Sequence, residues 1–192
     1  VIVLGPSGCG KTAIAKIFAK KEMSSGKKVL WFQAESLDVM DYTAFERNLH
    51  LIYPLNEILN NISDTYAYVI IDGLDRIFSE NAFRNLSILI HSLQLDNARN
   101  PWRLLITCQQ EQWDRTQELF ARVNIDSSRW QVKIVRKIPM TDLQSVWAAF
   151  PKLQHLRMQT HLQPLFSNLK ILDLLAIKSS QGASIDTSTW VG

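Results

Sequence analysis

Apolar residues recur along this chain in two rhythms, short unbroken runs and stripes at helical spacing, and their alternation predicts the elements. The runs Val1-Ile2-Val3-Leu4, Val29-Leu30-Trp31-Phe32, Tyr66-Ala67-Tyr68-Val69-Ile70-Ile71, Arg103-Leu104-Leu105-Ile106-Thr107 and Trp130-Gln131-Val132-Lys133-Ile134-Val135 predict strands. Between them, Ala13 to Ala19 has helical spacing. Phe45, Leu49, Ile52, Leu55, Ile58, Leu59 and Ile62 predict a helix that Pro54 kinks or splits. Phe83, Leu86, Leu89, Ile90 and Leu93 predict an amphipathic helix, and Trp113 to Arg122 a more polar one. Ser36 to Asp41 reads as a loop and Asp96 to Pro101 as a polar turn. Strand runs without polar alternation, separated by helices, imply a parallel sheet covered on both faces.

From Pro139 the pattern changes. Thr141-Asp142 reads as a helix cap, Leu143 to Phe150 as a helix ended by Pro151, and Leu165 to Ile177 as a second, strongly apolar helix. Ser179 to Ser188 is polar and reads as a loop. The expected organisation is a sheet domain over 1–138, a small helical domain over 139–180, and a linker or the start of a further domain over 181–192. The chain opens on Val1 inside an apolar run and closes on Thr189-Trp190-Val191-Gly192, which reads as a module cut from a longer polypeptide.

Directly after the first run comes Gly5-Pro6-Ser7-Gly8-Cys9-Gly10-Lys11-Thr12, which fits G-x-x-x-x-G-K-[ST] at each fixed position. Phosphate oxygens need several backbone N–H donors converging on them, and glycines permit the tight turn that aims those donors. The helix expected from Lys11 onward adds its positive dipole end. Lys11 is placed to reach β- and γ-phosphate oxygens, and the Thr12 hydroxyl to ligate Mg²⁺. This stretch resembles the phosphate loop of the P-loop NTPase superfamily. The alternative, a glycine-rich turn matched by accident, is disfavoured by the strand before it and the helix after it.

Composition narrows the setting. The 192 residues are 46% hydrophobic and 20% charged, ordinary values for a folded soluble domain with a sizeable core. A net charge of +3 does not call for nucleic acid, and the nearest basic patch, Lys133, Arg136 and Lys137, suits a solvated strand edge. Only two cysteines, Cys9 and Cys108, argue against a disulfide framework and for a cytoplasmic setting. No run is long enough to cross a bilayer. His50, His91, His155 and His161 are scattered, and no zinc-ligand spacing joins them to the cysteines. The tryptophans, Trp31, Trp102, Trp113, Trp130, Trp147 and Trp190, read as core and interface.

A second motif closes the third run. Four apolar residues end at Asp72, a Walker B pattern in which a carboxylate at a strand end faces Thr12 and orders Mg²⁺. Because a strand intervenes between the two motifs, the resemblance is to the additional-strand branch of these NTPases. The implied fold is a three-layer α/β sandwich with sheet order 5-1-4-3-2, followed by a small helical unit. The longer string Ile70-Ile71-Asp72-Gly73-Leu74-Asp75-Arg76 resembles the h-h-D-G-L-D-E signature of the STAND class, the NACHT and NB-ARC signalling ATPases. Leu104-Leu105-Ile106-Thr107 is similar to that class's sensor strand. Ile138-Pro139-Met140-Thr141-Asp142-Leu143, Phe150-Pro151 and Leu169-Lys170-Ile171-Leu172-Asp173-Leu174-Leu175 are similar to its helical unit. Bacterial members, including antiviral defence sensors, look closest.

The resemblance implies that Gly5, Pro6, Ser7, Gly8, Cys9, Gly10, Lys11 and Thr12 hold ATP or ADP, with Thr107 beside them. Thr12 and Asp72 would bind Mg²⁺, and Lys11, Asp72 and Asp75 would form the catalytic set, Asp75 orienting the attacking water. A structural reading of Asp75, as a cap on the turn after the strand, stays open. Two departures weaken hydrolysis more than binding: Arg76 stands where the class commonly has Glu, and Gln109-Gln110 stand where it often has Arg. The winged-helix domain of the class would begin near or after Trp190.

The function implied is an ATP-operated switch in a larger signalling or defence protein, with nucleotide, other domains of the same chain and further copies of itself as partners. Guanine is disfavoured because no Asn-Lys-x-Asp element occurs. The alternatives are a small-molecule or nucleoside kinase, whose lid could use Arg115, Arg122 and Arg129, and a scaffold that holds nucleotide without cleaving it. A cassette transporter ATPase is disfavoured by the absence of Leu-Ser-Gly-Gly-Gln.

Overall fold

A computed structural model describes residues 1–62, 66–93, 100–159 and 162–181. They fall into two compact units: residues 1–4 with 11–134, and residues 5–10 with the segment from Val135 onward.

The first unit is built on a five-stranded parallel sheet. Its strands are β1 (Ile2–Gly5), β2 (Lys28–Gln33), β3 (Ala67–Asp72), β4 (Trp102–Gln109) and β5 (Val132–Ile134), in the order β2-β3-β4-β1-β5. This is the expected 5-1-4-3-2 order. β3 lies inside the sheet, its register placing Gln33 of β2 opposite Asp72 and Ile106 of β4 opposite Ile71. The β-branched run Val69-Ile70-Ile71 suits a strand buried on both faces. Alternate residues serve different layers: Val69 and Ile71 join the large core, while Ile70 meets Ala15 and Ala19 on the opposite face.

That opposite face is covered by α1 (Lys11–Ser24), whose small Ala15 and Ala19 let it lie close to the strands. The other face carries α2 (Tyr42–Asn48), α3 (Leu55–Asn60), α4 (Glu80–Ser92) and α5 (Trp113–Arg122). Asp41 caps α2 by accepting the Ala44 N–H at 2.7 Å, and Ser79 caps α4 by accepting the Ala82 N–H at 3.1 Å. The helix expected across Pro54 is split: α2 ends before it, α3 starts after it, and the Glu46 carboxylate accepts the Leu55 N–H at 2.8 Å. Trp102 ties α3 to β4, its indole N–H reaching the Leu59 carbonyl at 2.8 Å.

Three local expectations are corrected. The segment expected as a loop from Ser36 begins inside a 3₁₀ turn, Ala34–Leu37. The fifth strand is shorter than the run Trp130 to Val135, because Trp130 turns back, donating its N–H to the Ser127 carbonyl at 3.0 Å and packing on Phe120. Thr141 and Asp142 do not cap a helix; they lie within a 3₁₀ turn, Met140–Leu143, preceded by Pro139. Residues 96–99 of the expected polar turn, 182–188 of the expected loop, His161 and Trp190 lie outside the described residues.

In the second unit, α6 (Gln144–Ala149), α7 (Gln154–Arg157), α8 (Gln163–Phe166) and α9 (Leu169–Ser180) surround Leu143, Trp147, Leu153, Leu156, Phe166 and Leu172. Trp147 and Phe166 meet edge to face at 5.2 Å. The apolar helix expected from Leu165 to Ile177 is broken at Ser167-Asn168, where α8 stops and α9 begins. Among the described residues, no helix is long and apolar enough to cross a membrane.

Phe120 is the hub of the aromatic packing in the first unit, its ring 5.8 Å from Phe83, 5.9 Å from Trp113 and 5.6 Å from Trp130. Replacing it with Ala opens a cavity between α4, α5 and the Trp130 turn, and the expected loss is about 3–5 kcal/mol of unfolding free energy. Urea denaturation of F120A beside the wild type reads that loss.

Candidate functional site

β1 ends at Gly5, and the chain turns through Pro6 to Gly10 before α1. Gly8 and Gly10 have φ of 74° and 97°, in the left-handed region where a side chain is strained. Such a turn lets successive N–H groups point to one side, the geometry an anion needs. Cys9 is buried, and its N–H approaches the Pro6 carbonyl at 3.4 Å. Lys11 and Thr12 form the first turn of α1 and are partly exposed.

In the first unit, Asp72 is 1% exposed at the carboxyl end of β3. A buried carboxylate needs donors, and two hydroxyls reach it. Thr12 Oγ1 lies 2.9 Å from Oδ1 and 3.0 Å from Oδ2. Thr107 Oγ1 donates to Oδ1 at 2.7 Å and accepts the Gly73 N–H at 2.8 Å. Thr107 thus clamps the turn after β3 to β4, its hydroxyl committed as donor and acceptor together.

Asp75 sits in the 3₁₀ turn Leu74–Arg76. Its Oδ1 accepts the Gln109 N–H at 2.8 Å, which pins this turn to the end of β4 as Thr107 does two residues earlier. Arg76 Nη1 pairs with Glu35 Oε1 at 2.9 Å, with both side chains a little under half exposed. The Glu35 carboxylate holds Arg76 above its ordinary value; burial opposes this, and Asp72 and Asp75 add to it. A pair this exposed contributes about 0–1 kcal/mol, so its interest is where it puts charge.

Cys108, next along β4, is buried beside Thr116 Oγ1 at 3.7 Å, and burial pushes its thiol up to about 11. It stays a neutral thiol at physiological pH and fills space as an apolar group.

The hard-oxygen set of Thr12 hydroxyl and Asp72 carboxylate fits a small divalent cation, Mg²⁺ in particular. The structure therefore brings Thr12, Asp72 and Thr107 together through direct hydrogen bonds, with Asp75 on the adjoining turn. Glu35 and Asn168 were not among the sequence candidates. Glu35 could have been sought from its place just beyond the end of β2, whereas Asn168 carries no motif.

Replacing Thr107 with Val keeps the shape but removes the hydroxyl that serves Asp72 and Gly73. The expected cost is about 1–3 kcal/mol, with T107S restoring most of it. Urea midpoints of the two variants measure the effect.

The family model for the ATPase family associated with various cellular activities (AAA) matches residues 1–128. Among solved structures, the chain is similar to the Cdc6p protein of Pyrobaculum aerophilum, with a TM-score of 0.47 and 14% identity; the match covers 77% of this chain and 41% of that one. The chain therefore spans well under half the length of that relative. No curated protein matches. With two thirds of its length under that family model and a parallel P-loop NTPase sheet beneath it, the chain belongs to the AAA ATPase family.

Proposed function

We propose that this chain is the nucleotide switch of a larger protein of the STAND signalling type, binding ATP with Mg²⁺ and changing its domain docking and self-association as the nucleotide is exchanged or cleaved. The observation that carries the reading is the direct apposition of Thr12 and Asp72 over a sequence separation of 60 residues. In a chain whose phosphate-loop motif ends at that threonine, this pairing is what a metal–triphosphate site requires.

The roles follow residue by residue. Backbone N–H groups from Gly5 to Gly10, all but Pro6, which has none, would receive the phosphates, and Lys11 would add a point charge to the β/γ oxygens. Thr12 and Asp72 would hold the cation, which would supply positive charge against the phosphate oxygens. Thr107 keeps the Asp72 carboxylate aimed toward Thr12. Asp75, fixed by the Gln109 amide, orients the attacking water. Arg76 sets a positive charge beside both acids where the STAND signature has a negative one, which favours slow hydrolysis over fast turnover. The domain limits we assign are 1–138 for the nucleotide-binding domain and 139–180 for the helical domain, with 181–192 leading onward.

The kinase alternative needs a lid of arginines free to close on the phosphates. Arg115 instead lies over the Phe78 ring at 4.7 Å, which favours the switch.

Lys11→Ala is expected to weaken ATP binding by about a hundredfold, the loss of a charge-assisted contact, with the unfolding midpoint unchanged. Calorimetric titration showing wild-type ATP affinity in K11A overturns the proposal. GTP is expected to compete poorly for the same site; equal competition by GTP removes the assignment to adenine nucleotides.

A further inference from the structure

The second unit contains a contact that neither motif foretells. α9 begins at Leu169, and a helix start leaves its first N–H groups without intrahelical acceptors. Two of them are met by Asn168: its Oδ1 accepts from Lys170 at 3.0 Å and its carbonyl from Ile171 at 3.0 Å, the same carbonyl taking the first regular helical bond from Leu172 at 3.1 Å. The Leu169 N–H goes elsewhere, to the carbonyl of Gly8 at 2.8 Å. The Asn168 carboxamide lies against the Gly8 α-carbon so closely that a Cβ there would overlap it, and a Cβ on Gly10 would fall 2.8 Å from Leu169 Cδ1.

The contact acts on the loop through the peptide plane. A trans peptide points its C=O and N–H in opposite directions, so holding the Gly8 carbonyl toward α9 turns the Cys9 N–H into the loop. There it approaches the Pro6 carbonyl at 3.4 Å, a long bond that a phosphate oxygen can replace. Asn168 is uncharged, so it fills the space beside Gly8 without repelling an anion.

We propose that Asn168, with the Leu169 amide beside it, is a positioning residue for the phosphate loop, fixing the Gly8–Cys9 peptide for phosphate binding and tying occupancy of the loop to the first turn of α9. This rests on the nucleotide reading above. Binding and capping are then linked in both directions: phosphate on the loop firms the start of α9, and loosening that start weakens phosphate binding.

The test compares ATP affinity by calorimetry in the wild type, N168A and N168D, alongside hydrogen exchange of α9 in the wild type with and without ATP. Asp caps a helix as well as Asn does, so N168D keeps the acceptor for Lys170 and the wild-type unfolding midpoint, but it puts a carboxylate beside the loop. The expected result is ATP affinity lowered about tenfold or more in N168D, a loss also seen in N168A, and slower exchange of the Leu169 amide when ATP is bound. A purely structural cap predicts exchange of the Leu169 amide to be the same with and without ATP. Wild-type ATP affinity in N168D, with α9 exchange indifferent to ATP, overturns this inference and leaves the nucleotide reading standing. If the wild type itself binds no ATP, the nucleotide reading falls and this inference goes with it.

Discussion

The organisation of the sheet unit depends on a carboxylate kept out of water. Asp72 is nearly inaccessible, and an ionised group so placed is tolerable only if donors converge on it. The Thr12 and Thr107 hydroxyls supply them, one from the helix that follows β1 and one from β4. This arrangement calls for β3, β4 and β1 to lie side by side, as they do in the observed order. The turn after β3 is shaped by the same requirement, since Gly73 and Asp75 are both fixed to β4 at alternate positions, Thr107 and Gln109. A carboxylate held by Thr107 in this way keeps its aim toward Thr12, which suits a site that works by placed charge.

The helical unit satisfies a different constraint. Its helices are short, and isolated helices of such lengths are marginal in water, so their order comes from packing around Trp147 and Phe166 and from capping. At α9 the capping is shared between Asn168 and the Gly8 carbonyl. A glycine loop suited to phosphate thereby doubles as part of a helix terminus, and its conformation and that of α9 have common determinants.

Much of this was legible in the sequence wherever the signal is local. The Gly5 to Thr12 string and the apolar run ending at Asp72 are contiguous, and each residue type reports its own chemistry. The strand runs were legible for a similar reason, since a strand buried on both faces has to be apolar throughout. The strand order came from family resemblance, because periodicity carries no information about which strands are neighbours. The misread boundaries have physical causes. Trp130 is β-favouring, but packing on Phe120 removes it from the strand. The break at Ser167-Asn168 sits inside unbroken apolar periodicity, and a single Asn that caps a helix looks like a single Asn on its surface. The Glu35–Arg76 pair and the Asn168–Gly8 contact join residues far apart in sequence, and no spacing rule encodes such meetings.

Whether the Thr12–Asp72 pair is a cation site serving a nucleotide decides what the molecule does. Calorimetric titration of the wild-type chain with ATP, in Mg²⁺ and again in excess EDTA, addresses it directly. The expected result is saturable binding of one nucleotide per chain that weakens by about tenfold or more when the cation is withdrawn, because Thr12 and Asp72 then have no charge to hold against the phosphates. No binding, or an affinity indifferent to Mg²⁺, would contradict it.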